Sequence, residues 1–318
     1  MNDDLLRFYR QTRHGTRVWW SFHHNVRRLR KARHPLVGIM LLEAMSDIVA
    51  CEPVARYLRR EMPDACIVWG VKAAYRELID TNPHVDMTLI VHCLSERLLL
   101  ERAELFDRFV DLHVPGRYCA LCRRPLMRSA ESAVRLDNYF EHGTLLTSFA
   151  RSAGLPPLDE APRVYIPAAA VARVDALHLP SRFVAVNCAS SSAEKNWLVE
   201  KWQALSKAMP EVPFVEVGLR PQLPDVLNLC GRLSILETAE VIRRAALFIG
   251  VDSGPAHLAN AVGVPGVVLI GRHLGFERYQ PFSGAYGNGE RAELIYSDGT
   301  AAAIPVETVL QAAHRLLS

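Results

Sequence analysis

The sequence predicts an α/β protein of two domains, each a parallel sheet wound on both faces by helices. At 318 residues the chain is longer than a single core ordinarily serves. Short apolar runs alternate with helical patterns along most of its length, the arrangement that produces parallel sheets. The third observation is the stretch from Phe248 to Gly271, which spells strand, short helix and strand with almost no slack. Ala246 to Val251 is long enough for a buried strand and too short for a helix. Ser253 can cap a helix, Pro255 is tolerated in its first turn, and Gly263 followed by Val264 and Pro265 ends it. Gly266 to Ile270 supplies the second strand. In a parallel sheet this unit sets the helix N-terminus, with its free amides and positive dipole end, at the carboxyl edge, where a phosphate-sized anion can bind.

The side chains suit that use. Gly254 leaves room for a ligand against the backbone, Ser253 offers a hydroxyl, and His257, about one turn in, can reach a second phosphate oxygen or a sugar hydroxyl. Asp252, at the strand tip, can accept hydrogen bonds from ribose or sugar hydroxyls. Each also has a plain structural role: Ser253 as a cap, Gly254 as a turn, His257 as an ordinary surface residue. Taken together, the run Asp-Ser-Gly-Pro-x-His-x-Ala-x-Ala-x-Gly-Val-Pro over 252–265 resembles the signature of glycosyltransferase family 9, the heptosyltransferase-like enzymes of lipopolysaccharide assembly. The resemblance implies a GT-B fold, two Rossmann-like domains facing across a cleft. In it this segment holds the diphosphate and sugar of a nucleotide-sugar donor.

Taken in order, the chain opens with a basic N-terminal arm, residues 1–35. Nine Lys or Arg there face only Asp3 and Asp4, and this +7 leaves −4 for the rest of a chain whose net charge is +3. Phe8, Tyr9, Val18, Trp19, Trp20, Phe22, Val26 and Leu29 interleave with the charges. Such a helix either lies on an anionic membrane surface, a peripheral contact with the inner membrane through residues 5–33, or packs its aromatics on the body or on a second subunit. Nucleic acid is the other polyanion it can meet, but nothing else in the chain resembles a nucleic-acid module and no such partner is expected. No run approaches the ~20 apolar residues of a membrane span and no signal-peptide pattern is present, so a cytoplasmic protein is expected. The seven cysteines are odd in number and scattered through apparent core segments, as reduced thiols would be. Cys119 and Cys122 make a C-x-x-C, but no second pair follows at zinc-site spacing.

The N-terminal domain, 36–165, starts with a buried-strand run at Leu36–Leu42, then a turn into a helix through Arg60, a strand at Pro63–Trp69, a helix at Tyr75–Ile79 and a strand at Met87–Val91. The order is similar to family 9, whose first strand leads to a Gly-Asp turn. By that resemblance Asp47 faces the cleft and is the general base that takes the acceptor hydroxyl's proton. It can equally N-cap a helix beginning near Ile48. The family's Gly is Ser46 here, which matters if the turn needs a positive φ. Glu43 and Glu52 flank the turn as substitute carboxylates or ordinary exposed residues. Helices are expected at Leu98–Phe106 and Asn138–Gly154. The basic run of Arg117, Arg123, Arg124 and Arg128 is a solvated face by default.

The C-terminal domain, 166–318, contains a strand at Phe183–Cys188 and then a polar loop. Family 9 has a similar loop ending in Lys-x-Trp, which implies that Lys195 meets the donor's phosphates, with Ser190 and Ser191 as weaker candidates. Phe214–Gly218 is the next strand and turn. Ser234 with Glu237 makes a capping box for a helix through Arg244, and Val306–Leu317 is an amphipathic closing helix. After Gly271 the chain has Arg272 to Pro281 where many family members carry Pro-Thr-x-Pro, which leaves the donor sugar open. No Asp-x-Asp occurs, so neither metal nor other cofactor is expected beyond the nucleotide sugar itself. The resemblance implies an inverting, metal-independent transferase moving a sugar, heptose from ADP-heptose, to a lipopolysaccharide core or another glycolipid or glycan acceptor. A transferase or epimerase using another nucleotide sugar, or a non-catalytic nucleotide-sugar-binding protein, would share the same donor fold.

Overall fold

A computed structural model of the chain describes residues 3–119, 124–125, 133–272 and 279–318. The chain folds as two compact units: residues 1–142 with 147–158, and residues 143–146 with 159–318.

In the first unit, β1 (Leu36–Met40), β2 (Cys66–Val71), β3 (Met87–Ile90) and β4 (Arg108–Asp111) form a parallel sheet in the order β3-β2-β1-β4. Every residue of β1 and β2 is buried, as strands covered by helices on both faces require. A two-residue antiparallel pair, β5 (Tyr118–Cys119) with β6 (Arg124–Pro125), follows. Cys122, Arg123 and Arg128 lie outside the described residues. The segment expected to be one helix from Asn138 to Gly154 is instead a short 3-10 turn, Tyr139–His142, and a helix, Leu145–Ser152, broken at Gly143, whose φ is +117°. The helix expected at Leu98–Phe106 runs from Leu94 to Arg102.

The N-terminal arm is a helix from Asp3 to Leu29 that packs on helix Leu94–Arg102 and on β3. Val18, Val26 and Leu29 are buried along one stripe, while Trp19 and Trp20 stay exposed. Polar contacts fix the helix to the end of β3. Asn25 Nδ2 donates to the Ile90 carbonyl at 3.0 Å and to Glu96 Oε1 at 3.2 Å, Ser21 Oγ to the Ile90 carbonyl at 3.2 Å, and Arg28 Nη1 to the Thr88 carbonyl at 2.9 Å. Burial pushes the Glu96 carboxyl up, against hydrogen bonds from Ser21 and His92 that work the other way. The helix is therefore part of the first unit's core through these residues.

The second unit's sheet has the order β12-β11-β10-β7-β8-β9, all parallel. Its strands are β7 (Val184–Asn187), β8 (Phe214–Glu216), β9 (Leu227–Asn228), β10 (Leu247–Val251), β11 (Gly266–Ile270) and β12 (Ala292–Tyr296). The chain winds outward from β7 to β9, then returns to the other side of β7 and winds outward again from β10 to β12. The reversal falls between β7 and β10, and the equivalent reversal in the first unit falls between β1 and β4. Ligands of open parallel sheets bind outside the carboxyl ends at such points. The expected helix boundaries hold: Ser234 and Glu237 form a reciprocal capping box at the start of Ile235–Arg244, and Gly263, at φ 74°, ends Gly254–Val262. The final helix is Val306–Leu317. Cys51, Cys66, Cys93, Cys188 and Cys230 are buried free thiols. Among the described residues no helix is long and apolar enough to cross a membrane.

If the N-terminal helix is core, Leu29→Ala should lower stability by roughly 3 kcal/mol, the usual cost of a fully buried leucine, and Trp20→Ala by under about 0.5. Urea unfolding of the two variants checks this; equal, negligible effects would mean an undocked arm.

Candidate functional site

The reversal between β7 and β10 brings together the side chains singled out in the second unit. Asp252 follows β10 directly and is buried. Lys195, in a 3-10 turn on the loop after β7, donates from Nζ to Asp252 Oδ2 at 2.7 Å and to the Tyr279 hydroxyl oxygen at 3.0 Å. Tyr279 in turn donates to Asp252 Oδ2. Burial works to raise the Asp252 carboxyl, but Lys195 first, then His257 and the Tyr279 hydroxyl, outweigh it and hold the group below the usual carboxylate range. His257 lies behind this cluster, its ring 4.5 Å from that of Phe282 and Nε2 3.9 Å from Asp252 Oδ1. Its Nδ1 is buried without a hydrogen-bond partner among the described residues. Burial pushes the imidazole down to about 4, so it is neutral at pH 7 and can offer one N–H and one lone pair. Titratable groups shifted from their ordinary range by burial and a specific charged partner are common at functional sites.

Several local expectations change. Ser253 occupies the N-cap position of Gly254–Val262, yet its side chain makes no capping bond. The hydroxyl lies 2.7 Å from Asn187 Oδ1 and 3.1 Å from the Val251 carbonyl, and Asn187 Nδ2 donates to Val217 at 3.0 Å, so Ser253 stitches the tips of β10, β7 and β8. The helix start offers fewer amides than expected: Pro255 has none, and the Ala256 and His257 amides both donate to the Ser253 carbonyl at 3.1 and 3.3 Å. Gly254 supplies the remaining first-turn amide. His257 is buried, where a surface position was the plain alternative. Ser190 is half-buried, its amide bonded to Asn196 Oδ1 at 2.7 Å and its hydroxyl to the Ser192 carbonyl at 2.9 Å, whereas Ser191 is exposed.

Tyr279 and Asn187 are the members that sequence reading missed. Tyr279 belongs to the stretch that departs from Pro-Thr-x-Pro, of which 273–278 lie outside the described residues. Gly271 is also required: a Cβ there would lie 2.6 Å from the Ala301 amide nitrogen and 2.7 Å from the Glu194 carbonyl, against the backbone that carries Lys195.

The first unit treats its own reversal differently. The helix after β1 begins at Met45, not near Ile48, so Asp47 is at its third position and is no N-cap. Its Oδ2 reaches back to accept the Ala44 amide at 2.9 Å, and the side chain is half-buried. Ser46 is helical; the non-glycine residues with positive φ among those described are Glu104 and His178, so this turn needs no glycine for its φ. Glu52 is buried and gripped by Arg56 Nε at 3.1 and 3.2 Å, and the half-buried Glu43 pairs with Arg117 at 3.1 Å, so neither is an ordinary exposed residue. Beneath the turn lies a buried chain. Arg97 pairs with Asp111, Asp111 Oδ1 lies 2.5 Å from His113 Nδ1, and His113 Nε2 accepts the Leu42 amide at 2.8 Å. Because Nε2 accepts, Nδ1 carries the proton and donates to Asp111.

Residues 147–283 match the model of glycosyltransferase family 9 (heptosyltransferase), which contains the β7–β10 cluster and bears out the resemblance drawn from residues 252–265. Lipopolysaccharide heptosyltransferase 3 of Escherichia coli is 45% identical over 56 residues, 18% of this chain and 16% of that protein. The protein of the same name from E. coli strain K12 is 27% identical over 168 residues, 45% of this chain and 49% of that protein. The matched segments thus span half or less of these relatives. The solved structure of E. coli ADP-heptose lipopolysaccharide heptosyltransferase II superposes with a TM-score of 0.68 at 18% identity, covering 88% of this chain and 98% of that one. At that identity the likeness speaks for the fold, which is that of the GT-B glycosyltransferases, α/β with two parallel-sheet units.

Two outcomes follow from the site. Gly271→Ala should cost about 1–3 kcal/mol, because backbone on both sides must move; denaturant unfolding measures it, and an unchanged midpoint would refute the close approach. The His257 imidazole binds its proton near 6.5 when unfolded and near 4 when folded. The unfolded state therefore holds more protons between those values, and the stability due to a neutral His257 is complete above 6.5 and lost as pH falls toward 4, at up to about 1.4 kcal/mol per pH unit. His257→Gln should flatten the stability-against-pH curve in that window relative to the wild type.

Proposed function

We propose that the chain, carrying a glycosyltransferase family 9 segment over residues 147–283, transfers a sugar from a nucleotide-sugar donor to a hydroxyl acceptor with inversion. The observation that carries this reading is the Lys195–Asp252–Tyr279 cluster, built on the buried Asp252 carboxylate at the carboxyl edge of β7 and β10, two residues before Gly254 opens the helix. A donor diphosphate would draw the Lys195 ammonium and the Gly254 N–H toward its oxygens. Asp252, relieved of Lys195, would accept from sugar hydroxyls, and His257, Ser190 and Ser191 would complete the donor contacts. In the transfer, Asp47 takes the acceptor hydroxyl's proton, the oxygen attacks the anomeric carbon, and the bond to the diphosphate breaks. Negative charge then grows on the leaving group, where Lys195 opposes it.

The relatives' names favour heptose from ADP-heptose as donor and a lipopolysaccharide core as acceptor, and another surface glycan fits the same chemistry. No Asp-x-Asp occurs in the sequence, and a lysine with a helix N-terminus can do the electrostatic work of a divalent ion, so the transfer is read as metal-independent. A lipid-held acceptor places the reaction in the cytoplasm at the inner membrane, with the N-terminal helix in peripheral contact with the bilayer.

Calorimetric titration of ADP-heptose, with UDP- and GDP-sugars in parallel, tests the donor site. Selective ADP-heptose binding that falls at least about tenfold in Lys195→Ala is expected. Selective binding of another nucleotide sugar would move the donor assignment, and no binding of any would overturn the site. Asp47→Asn should lower turnover by about a hundredfold to ten-thousandfold with donor affinity unchanged, and an excess of chelator should leave the rate alone.

A further inference from the structure

The N-terminal helix has two faces of opposite commitment. Val18, Asn25, Val26 and Leu29 are buried in the first unit, with Val18 at 7% exposure and Leu29 at 1%. At 100° per residue, Arg13, Trp20 and Arg27 fall on the opposite face, one heptad apart, with Arg30 and Trp19 at its flanks. All five are exposed, Trp19 at 54% and Trp20 at 64%, and their indoles stack edge to face at 5.0 Å. Residues 11–33 hold seven Lys or Arg and no carboxylate. This run of positive charge accompanies two aromatic rings that the fold leaves in water.

We propose that this outer face is a docking surface for an anionic lipid bilayer, with Trp19 and Trp20 entering the interface and Arg13, Arg17, Arg27 and Arg30 held against the headgroups. The inference deepens the peripheral contact put forward above and rests on that reading for its biological use, but it does not depend on the donor chemistry. Charge complementarity selects the occupant. Indoles settle at the headgroup level of a bilayer, and each cation near an anionic surface strengthens the attraction several-fold. The helix is too polar to insert across the membrane and is suited to lie on it. Its inner face is tied to β3 by Ser21, Asn25 and Arg28, so docking would orient the first unit on the membrane rather than merely tether it.

Flotation of the full chain with vesicles tests the surface. Phosphatidylcholine vesicles are compared with vesicles containing about 30% phosphatidylglycerol, at low and raised salt. The wild type should bind the anionic vesicles at least about tenfold tighter and lose that margin with salt. Arg13→Glu with Arg27→Glu should remove at least about tenfold, and Trp19→Ala with Trp20→Ala should weaken binding by a similar factor even at high salt. Unfolding curves and ADP-heptose titration on the same preparations should be unchanged in both double variants, as these exposed residues belong to the first unit and the donor-site residues to the second. Equal binding to both vesicle types, or anionic binding that survives both double variants, overturns the proposal. So does tighter binding to single-stranded RNA than to vesicles, or a dimer in sedimentation velocity that the tryptophan variant abolishes, because either assigns the face to another occupant. Vesicle binding without ADP-heptose binding would leave the docking face standing and strike only the transferase reading.

Discussion

A carboxylate buried at the tip of β10 governs the second unit. Taking an isolated carboxylate out of water costs several kcal/mol unless it is paired and hydrogen-bonded, and Asp252 is both, through Lys195 and Tyr279. That pairing holds the loop after β7 and the chain beyond β11 on one buried atom, Asp252 Oδ2. The same constraint explains Gly271, whose missing side chain lets the Glu194 carbonyl close in. Breaking such a pair by removing one partner is more damaging than its net contribution suggests, since the other charge is left buried alone.

The first unit solves the equivalent problem one layer deeper. Its reversal between β1 and β4 is bridged by His113, which takes the Leu42 amide on one nitrogen and is oriented on the other by Asp111, itself paired to Arg97. The buried charges sit below the turn, and the half-buried Asp47 carboxyl above it is held through the Ala44 amide. The rigid polar network thus fixes the backbone of the turn while the Asp47 carboxyl itself keeps contact with water. Each unit therefore joins two strand ends at its reversal, by a salt bridge in one and by a histidine in the other.

Much of the second unit was legible because its signals are local. The run 246–271 is bracketed by a strand-length apolar stretch, Pro255 and a left-handed Gly263, and each acts within a few residues of itself. The Ser234–Glu237 box is local in the same sense. The helix start at Met45 was misplaced because Asp47 is equally acceptable as a cap or as a reach-back residue at the third position, and only the backbone path out of β1 chooses between them. Ser253 was misassigned for a similar reason. Its hydroxyl had a capping partner three residues on, but Asn187, on another strand, competes for it.

The sequence by itself determined the fold class, the bracketed helices, the family resemblance and the basic character of the N-terminal segment, since all of these rest on residue type and spacing. The tertiary structure alone decided that Lys195 is shared with Asp252 and Tyr279, that His257 is buried and neutral, and that the N-terminal helix turns Val18 and Leu29 inward and Trp20 outward. Those outcomes depend on which distant strands become neighbours and how far water is excluded between them. Neither quantity is written in any local window of the chain.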